Sequence, residues 1–312
     1  MRDLESRSSA RGAILVIGAR GQLGAELCRS MSLLGRVVPV GRETCDLANP
    51  DAIAATVRSV RPVVIVNAAG YTAVDAAETS GDLAHAVNAV APGILAAEAK
   101  ALGSLIVHYS TDYVFDGAKV GSYTEDDLTS PLSVYGRSKL DGELAVQAVG
   151  VDHWIFRTSW VFGSHGGNFL KSIARAALSR TSLSVVADQV GAPTSAAVLA
   201  DVTALAIHRY LSAIPSMPSG LYHLAAGGET NWHQYAVHIV EALAAAGVPL
   251  AVKPESVLPI TAADYGSAAA RPANSRLDTS KLRSALNIEL PNWRQGVDRL
   301  LAELVEGRIL FA

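Results

Sequence analysis

Along the first half of the chain, short apolar runs rich in β-branched residues recur at 14–17, 37–40, 63–66, 105–109 and 154–157, with longer alanine- and leucine-rich segments between them. Continuous rather than alternating apolar runs are what strands look like when both faces of a parallel sheet are covered. The segments between, at about 22–34, 51–60, 82–102 and 135–149, read as helices, the second announced by the cap signal Asn49-Pro50-Asp51. Strands joined by crossovers this short predict right-handed βαβ units and a doubly wound parallel sheet, an α/β Rossmann fold.

After Thr158 the rhythm loosens. A loop is predicted over 163–167, a helix over 169–180, a short strand over 183–186 and a loop over 215–220. One more sheet strand follows at 221–224 and an amphipathic helix at 232–246. Prolines at 249, 254, 259, 272 and 291 then mark a tail of short elements and ordered loops. At roughly 150 residues per domain, 312 residues allow two domains, or one large α/β unit with a lobe built on it. We expect a dinucleotide-binding unit over 12–159 and 196–226, and a smaller substrate-binding lobe over 160–195 and 227–312. That lobe should pack over the carboxyl edge of the sheet, where open α/β folds bind ligands. Residues 1–11 (MRDLESRSSAR) are polar and mixed in charge, and are expected to be a disordered tail without a signal-peptide core.

Composition excludes several function classes. A formal charge of −3 offers no basic footprint for nucleic acid. Charged residues such as Glu98, Lys100 and Glu241 interrupt every alanine-rich run, so no membrane-spanning helix is expected. The two cysteines, Cys28 and Cys45, form no CxxC pair, which argues against a disulfide scaffold and suits a reducing cytoplasm. His233 and His238 are five apart with no HExxH, so no metal site is expected.

The first strand runs into Gly18-Ala19-Arg20-Gly21-Gln22-Leu23-Gly24 and a helix. Gly18 permits a tight turn, Gly21 lets backbone amides approach a pyrophosphate, and Gly24 lets the helix lie close to the sheet. The helix start adds a positive dipole end for the anion. The second strand ends Val40-Gly41-Arg42-Glu43. A basic tip accommodates the 2′-phosphate of NADPH, with Arg20 as a second positive charge, whereas an acidic tip would bind the free ribose of NADH. Arg42 favours NADPH, and Glu43 keeps NADH open.

Tyr135 and Lys139 stand four apart at the start of a helix and share one face. Alone, the pair fits a solvated face as well as a proton shuttle. As a shuttle, the ammonium would lower a phenol whose ordinary pKa is ~10, and a shift of ~3 units would take ~4 kcal/mol of differential interaction. Upstream, the run 105–117 (LIVHYSTDYVFDG) is an apolar strand ending in hydroxyls and a carboxylate, the strand tip where a carbonyl-polarising group belongs.

Together these motifs resemble the extended short-chain dehydrogenases/reductases. The resemblance runs from about Ile14 to Glu303 through NAAGYTAVDAAE (67–78), HYSTDYVFDG (108–117), VYGRSKLDGE (134–143), FRTSWVFG (156–163), DQVGAPT (188–194), GLYHLAAGG (220–228) and RPANSRLDTSKL (271–282). It points to the branch that uses NADPH to reduce carbon 4 of dTDP-4-dehydro-L-rhamnose for polysaccharide biosynthesis. By this similarity Tyr135 donates a proton to the carbonyl oxygen, Lys139 holds the cofactor ribose and tunes Tyr135, and Thr111 hydrogen-bonds the same oxygen. Asp46 and Leu47 would lie by the adenine, and Ala68, Ala69 and Tyr71 along the cofactor. Asp112, Tyr113, Trp160, Asn168 and Arg276 would line the site of the dTDP-sugar, with core packing as the alternative for Trp160 and a surface ion pair for Arg276. Relatives in this family include nucleotide-sugar epimerases and non-catalytic nucleotide-sensing regulatory subunits, which are the competing functions. Some members dimerise through magnesium on glutamates. The matching positions here are Glu26, Ala197 and Glu303, and alanine offers a hard cation no oxygen, so Mg2+ is not expected and a monomer or metal-free homodimer is.

Overall fold

The computed structural model describes residues 12–212, 214 and 217–307. The tail expected over 1–11, part of the loop over 215–220 and the last five residues lie outside that range. In chain order the first half comprises β1 (Ala13–Ile17), α1 (Gln22–Ser30), β2 (Arg36–Val40), α2 (Pro50–Val60), β3 (Val64–Asn67), α3 (Ala91–Leu102), β4 (Leu105–Thr111), α4 (Val134–Val149) and β5 (His153–Thr158). Then come β6 (Val161–Phe162), α5 (Phe169–Ser179), β7 (Leu183–Val186), β8 (Val190–Gly191), β9 (Thr194–Ser195), α6 (Ala196–Leu211) and β10 (Gly220–His223). The chain ends with β11 (Thr230–Asn231), α7 (Trp232–Ala245), β12 (Val257–Ile260), α8 (Ser280–Leu286) and α9 (Trp293–Glu306).

Six strands pair in parallel in the order β10-β5-β4-β3-β1-β2. The order reverses beside β1, which opens a crevice at the carboxyl ends of the strands. Local chemistry sets the element ends. Asn49 caps α2 by accepting from the amides of Asp51 and Ala52, and Ser133 caps α4 at the amide of Gly136. The helical stretch expected over 82–102 is present, but a π-turn at Ala86–Val90 interrupts it before α3.

Apolar layers cover both faces of the sheet. Leu27 of α1, Leu199 and Ile207 of α6, and Leu282 and Leu286 of α8 pack on Ile14, Val107 and Phe156. On the other face Ile53 and Val57 of α2, Leu95 of α3 and Val146 of α4 cover Leu15, Ile65 and Ile155. A separate cluster gathers Leu170 and Ile173 of α5, Tyr235 and Ile239 of α7, Val257 of β12, and Trp293 and Leu301 of α9. Short pairings tie that cluster together: β12 with β7, β11 with β8, and β6 with β9.

The strand and helix expectations hold within a few residues, with two differences. Helix α1 stops at Ser30 instead of 34. The proline-marked tail holds a long helix, α9, because Pro291 precedes its cap: Asn292 accepts from the amide of Arg294 and starts 14 helical residues. Among the described residues no helix is long and apolar enough to cross a membrane.

Candidate active site

A cleft of about 900 Å3 opens at the carboxyl edge of β1, β3 and β4 and is roofed by residues of α5 and α7. Gly18 turns the chain at φ +81, and a Cβ there would come within 2.9 Å of Ala69. Gly24 lies so close under the loop that a Cβ would sit 2.0 Å from the carbonyl oxygen of Gly18. Only glycine fits either position. Gly21 precedes α1 with no side chain capping the helix and no acidic residue in its first turn, which leaves the positive dipole end for an anion. These are the features a dinucleotide pyrophosphate requires.

At the rim, Arg20 pairs with Glu43 at 2.8 Å and Arg42 lies 3.7 Å from Asp46. Both arginine side chains stay 79% exposed. Leu47, Ala68, Ala69 and Tyr71 continue the wall, as does Cys45, which sequence reasoning left aside. The backbone of Tyr71 is held on both sides by Asn88, whose Oδ1 accepts from its amide at 2.8 Å and whose Nδ2 donates to its carbonyl at 3.0 Å.

The floor is built from the end of β4 and the start of α4. Thr111, Tyr135 and Lys139 all line it and are 6%, 9% and 5% exposed. Thr111 Oγ1 donates to Asp112 Oδ1 at 3.0 Å and accepts from the amide of Tyr113 at 3.2 Å. Burial pushes the Tyr135 phenol up to about 12, with Thr111 pulling it down and Asp112 pushing it further up. Burial also lowers Lys139 to about 8, against the nearby Glu143 carboxylate. The expected lowering of Tyr135 by Lys139 is therefore not found. The ammonium donates to the Tyr109 carbonyl at 2.5 Å, and the cost of charging a buried phenol prevails. Tyr135 thus holds its proton at neutral pH, the state a proton donor needs. Burial raises Asp112 to about 6, with the Ser275 and Thr111 hydroxyls pulling the other way. Ser110 Oγ and Thr158 Oγ1 line the same floor, buried and without hydrogen-bond partners. The strand-tip rule could have found Thr158, the last residue of β5.

Opposite the floor the wall is aromatic. Trp160 stacks on Trp232 with ring centroids 3.7 Å apart, and Phe169 lies 4.6 Å from the Trp232 ring. Trp160 takes φ +48, a left-handed backbone a side chain seldom adopts. Nothing in the sequence singled out Trp232, which reads as the first residue of an ordinary amphipathic helix. Asn168 caps α5 through the amide of Lys171 and donates to Gln22 Oε1 and the Gly163 carbonyl, each at 2.8 Å, joining the start of α5 to the start of α1.

The cleft gathers eighteen of the sequence-predicted residues: Gly18, Arg20, Gly21, Gln22, Leu23, Arg42, Asp46, Leu47, Ala68, Ala69, Tyr71, Thr111, Asp112, Tyr113, Tyr135, Lys139, Trp160 and Asn168. Gly24 supports the loop from behind. Arg276 does not line the cleft; it bonds Asn274 at 2.9 Å and Glu229 at 3.1 Å. Away from the cleft, Glu26 is tied to Arg29 at 2.8 Å and Glu303 to Arg299 at 3.1 Å beside Ala197. Among the described residues no group of three potential metal ligands occurs.

Comparison with known proteins agrees along nearly the whole chain. A dTDP-4-dehydrorhamnose reductase of Burkholderia thailandensis is 48% identical over 296 residues, 94% of this chain and 99% of that one. One from Salmonella typhimurium is 46% identical over 93% of this chain and 97% of its own. The crystal structure of the Bacillus anthracis dTDP-4-dehydrorhamnose reductase in complex with NADP superposes with a TM-score of 0.82 at 33% identity, covering 94% of this chain and 99% of that one. The family described as the RmlD substrate binding domain matches residues 12–306, and the chain belongs to that family.

Proposed function

We propose that this chain is a dTDP-4-dehydrorhamnose reductase, an oxidoreductase that uses NADPH to reduce the 4-keto group of dTDP-4-dehydro-L-rhamnose. The observation that carries the reading is the convergence of Thr111, Tyr135 and Lys139 on the floor of the one cleft whose other end is the glycine loop. Gly18, Gly21 and the uncapped start of α1 fit a dinucleotide pyrophosphate, and Arg42 after the β2 tip with Arg20 of the glycine loop fit a 2′-phosphate. When bound, NADPH supplies a hydride to the carbonyl carbon.

The chain's residues do the rest. Tyr135, its phenol protonated, donates to the carbonyl oxygen, and the Thr111 hydroxyl hydrogen-bonds the same oxygen. Lys139, which lines the cleft, would hold the cofactor ribose. Asp112, Tyr113, Trp160 and Asn168 orient the sugar nucleotide, so that hydride and proton meet one carbonyl from fixed positions. The sheet unit over 12–159 and 196–226 then carries the cofactor and the lobe over 160–195 and 227–312 the substrate. The separate apolar cluster of α5, α7 and α9 supports that division, while Leu282 and Leu286 of α8 pack with the sheet. Ala197, which offers a hard cation no oxygen beside Glu26 and Glu303, supports a monomer or metal-free dimer. Two free cysteines suit a cytoplasmic location.

The test is NADPH consumption with the 4-keto sugar nucleotide generated in place by upstream enzymes. Oxidation that requires both reactants is the expected result. NADPH binding without turnover would point to a regulatory subunit, and tightly copurified NAD with no net oxidation to an epimerase.

A further inference from the structure

Lys139 has a neighbour that the proposed reaction does not use. His108 lies on β4 in register with Asn67, the last residue of β3, and both are fully buried. Asn67 Oδ1 accepts from the amide of Ala69 at 3.2 Å, so its Nδ2 points the other way and donates to His108 Nδ1 at 3.1 Å. A ring nitrogen that accepts carries no proton, which puts the proton of a neutral imidazole on Nε2. Nε2 lies 3.4 Å from Lys139 Nζ. The ring is neutral, because burial holds its pKa well below the usual histidine range.

An N–H directed at nitrogen suits an amine with a lone pair and opposes an ammonium, whose three protons all need acceptors. We propose that His108, oriented by Asn67, is a positioning residue that presents an N–H instead of a lone pair to Lys139 and so favours the neutral amine over the ammonium. In the neutral form every group is matched. The lone pair takes Nε2–H, one proton goes to the Tyr109 carbonyl, and one is left for the cleft. Few charges face the pair. Glu143, one turn further along α4, favours the ammonium, but Arg157 holds its carboxylate at 2.9 and 2.6 Å. From β5 the residue in register with His108 is Ile155, and Tyr135 one turn back on α4 is uncharged while its phenol is protonated. The effect adds to the lowering that burial alone imposes on Lys139, and makes it a group able to gain and lose a proton near neutrality. The catalytic benefit rests on the proposed reductase reading; the polarity of the network does not.

Two NMR measurements on the full chain test it. In 15N-histidine-labelled protein, His108 should show the neutral Nε2–H tautomer throughout the neutral range. A Nδ1–H tautomer, or a ring that titrates there, would overturn the proposal. The Lys139 Nζ titration should then move up by about one pH unit in His108→Leu, which removes the opposing N–H without adding charge. It should move up as well in Asn67→Asp, whose carboxylate accepts from Nδ1–H and turns the Nε2 lone pair toward the lysine. A histidine that only fills space would lower stability and leave the midpoint in place, and an unchanged midpoint in both folded variants sinks the idea. If His108→Leu does not fold, the wild-type tautomer decides. Neither readout depends on turnover, so failure of the reductase assay leaves this result distinguishable.

Discussion

Lys139 and Arg42 are both basic side chains lining one cleft, but Lys139 is 5% exposed whereas the Arg42 side chain keeps 79% of its surface. At the floor, removal from water decides protonation: Tyr135 and Asp112 are pushed up and Lys139 down. At the rim, water and salt screen each charge, so Arg20 and Arg42 exert modest, adjustable attraction. The floor can therefore perform chemistry, and the rim can only select what reaches it. Substitutions on the two sides should differ in size and in salt dependence.

The largest effect is expected at the floor. Tyr135→Phe keeps the ring and removes the donor, so turnover should fall by ~10² to 10⁴-fold with NADPH affinity nearly unchanged. Steady-state kinetics beside cofactor titration checks this, and near-wild-type turnover would refute the assigned proton donor. Under the floor, Glu143→Leu leaves the 5% exposed Arg157 without its carboxylate and should cost about 3–5 kcal/mol of unfolding free energy in urea. A cost below about 1 kcal/mol would mean that water reaches the pair.

A third experiment reads the floor through pH. Because burial raises Asp112 in the folded chain, the native state binds its proton more tightly than the unfolded state does, so this group's contribution to stability declines as pH rises through about 4 to 6. Asp112→Asn keeps an acceptor for Thr111 and removes the charge. It should melt at higher temperature than wild type at neutral pH, by a few degrees, and lose that advantage near pH 4. An equal difference at both pH values would show that the carboxyl never carries an uncompensated charge.

The smallest effect belongs to the rim. Arg42→Ala should narrow the preference for NADPH over NADH roughly fivefold, about 1 kcal/mol, and the loss should shrink with added salt. Identical cofactor ratios in mutant and wild type would leave Arg42 as the partner of Asp46 alone.

The same division explains what could be read in advance. Strands buried on both faces betray themselves as unbroken apolar runs, so β1, β3, β4 and β5 were legible, and with them the glycine loop after β1 and the hydroxyl-rich tip of β4, but not Thr158 at the tip of β5. Thr111 was placed by the family resemblance, and Lys139 by its spacing from Tyr135 on one helix face together with that resemblance. The cluster of α5, α7 and α9 is tied by strands as short as β6, β8 and β9, two residues each, which carry no period to detect. Trp232 reaches the cleft only because α7 packs on α5, a long-range event with no local signature. Arg276 shows the converse: it sits within a matching motif, yet Asn274 and Glu229 hold it outside the cleft lining.

The π-turn at Ala86–Val90 gives the helix one residue more per turn than its neighbours use. Asn88 sits within it, facing the backbone of Tyr71 on one side and donating to Ser138 Oγ, next to Lys139, on the other. Each helical residue advances the side chains by about 100°, so removing one residue here would swing Asn88 away from both partners while leaving the composition almost unchanged. The wall of the cleft therefore depends on an exact count of residues in this stretch. Loss of a single codon should be more damaging there than most substitutions.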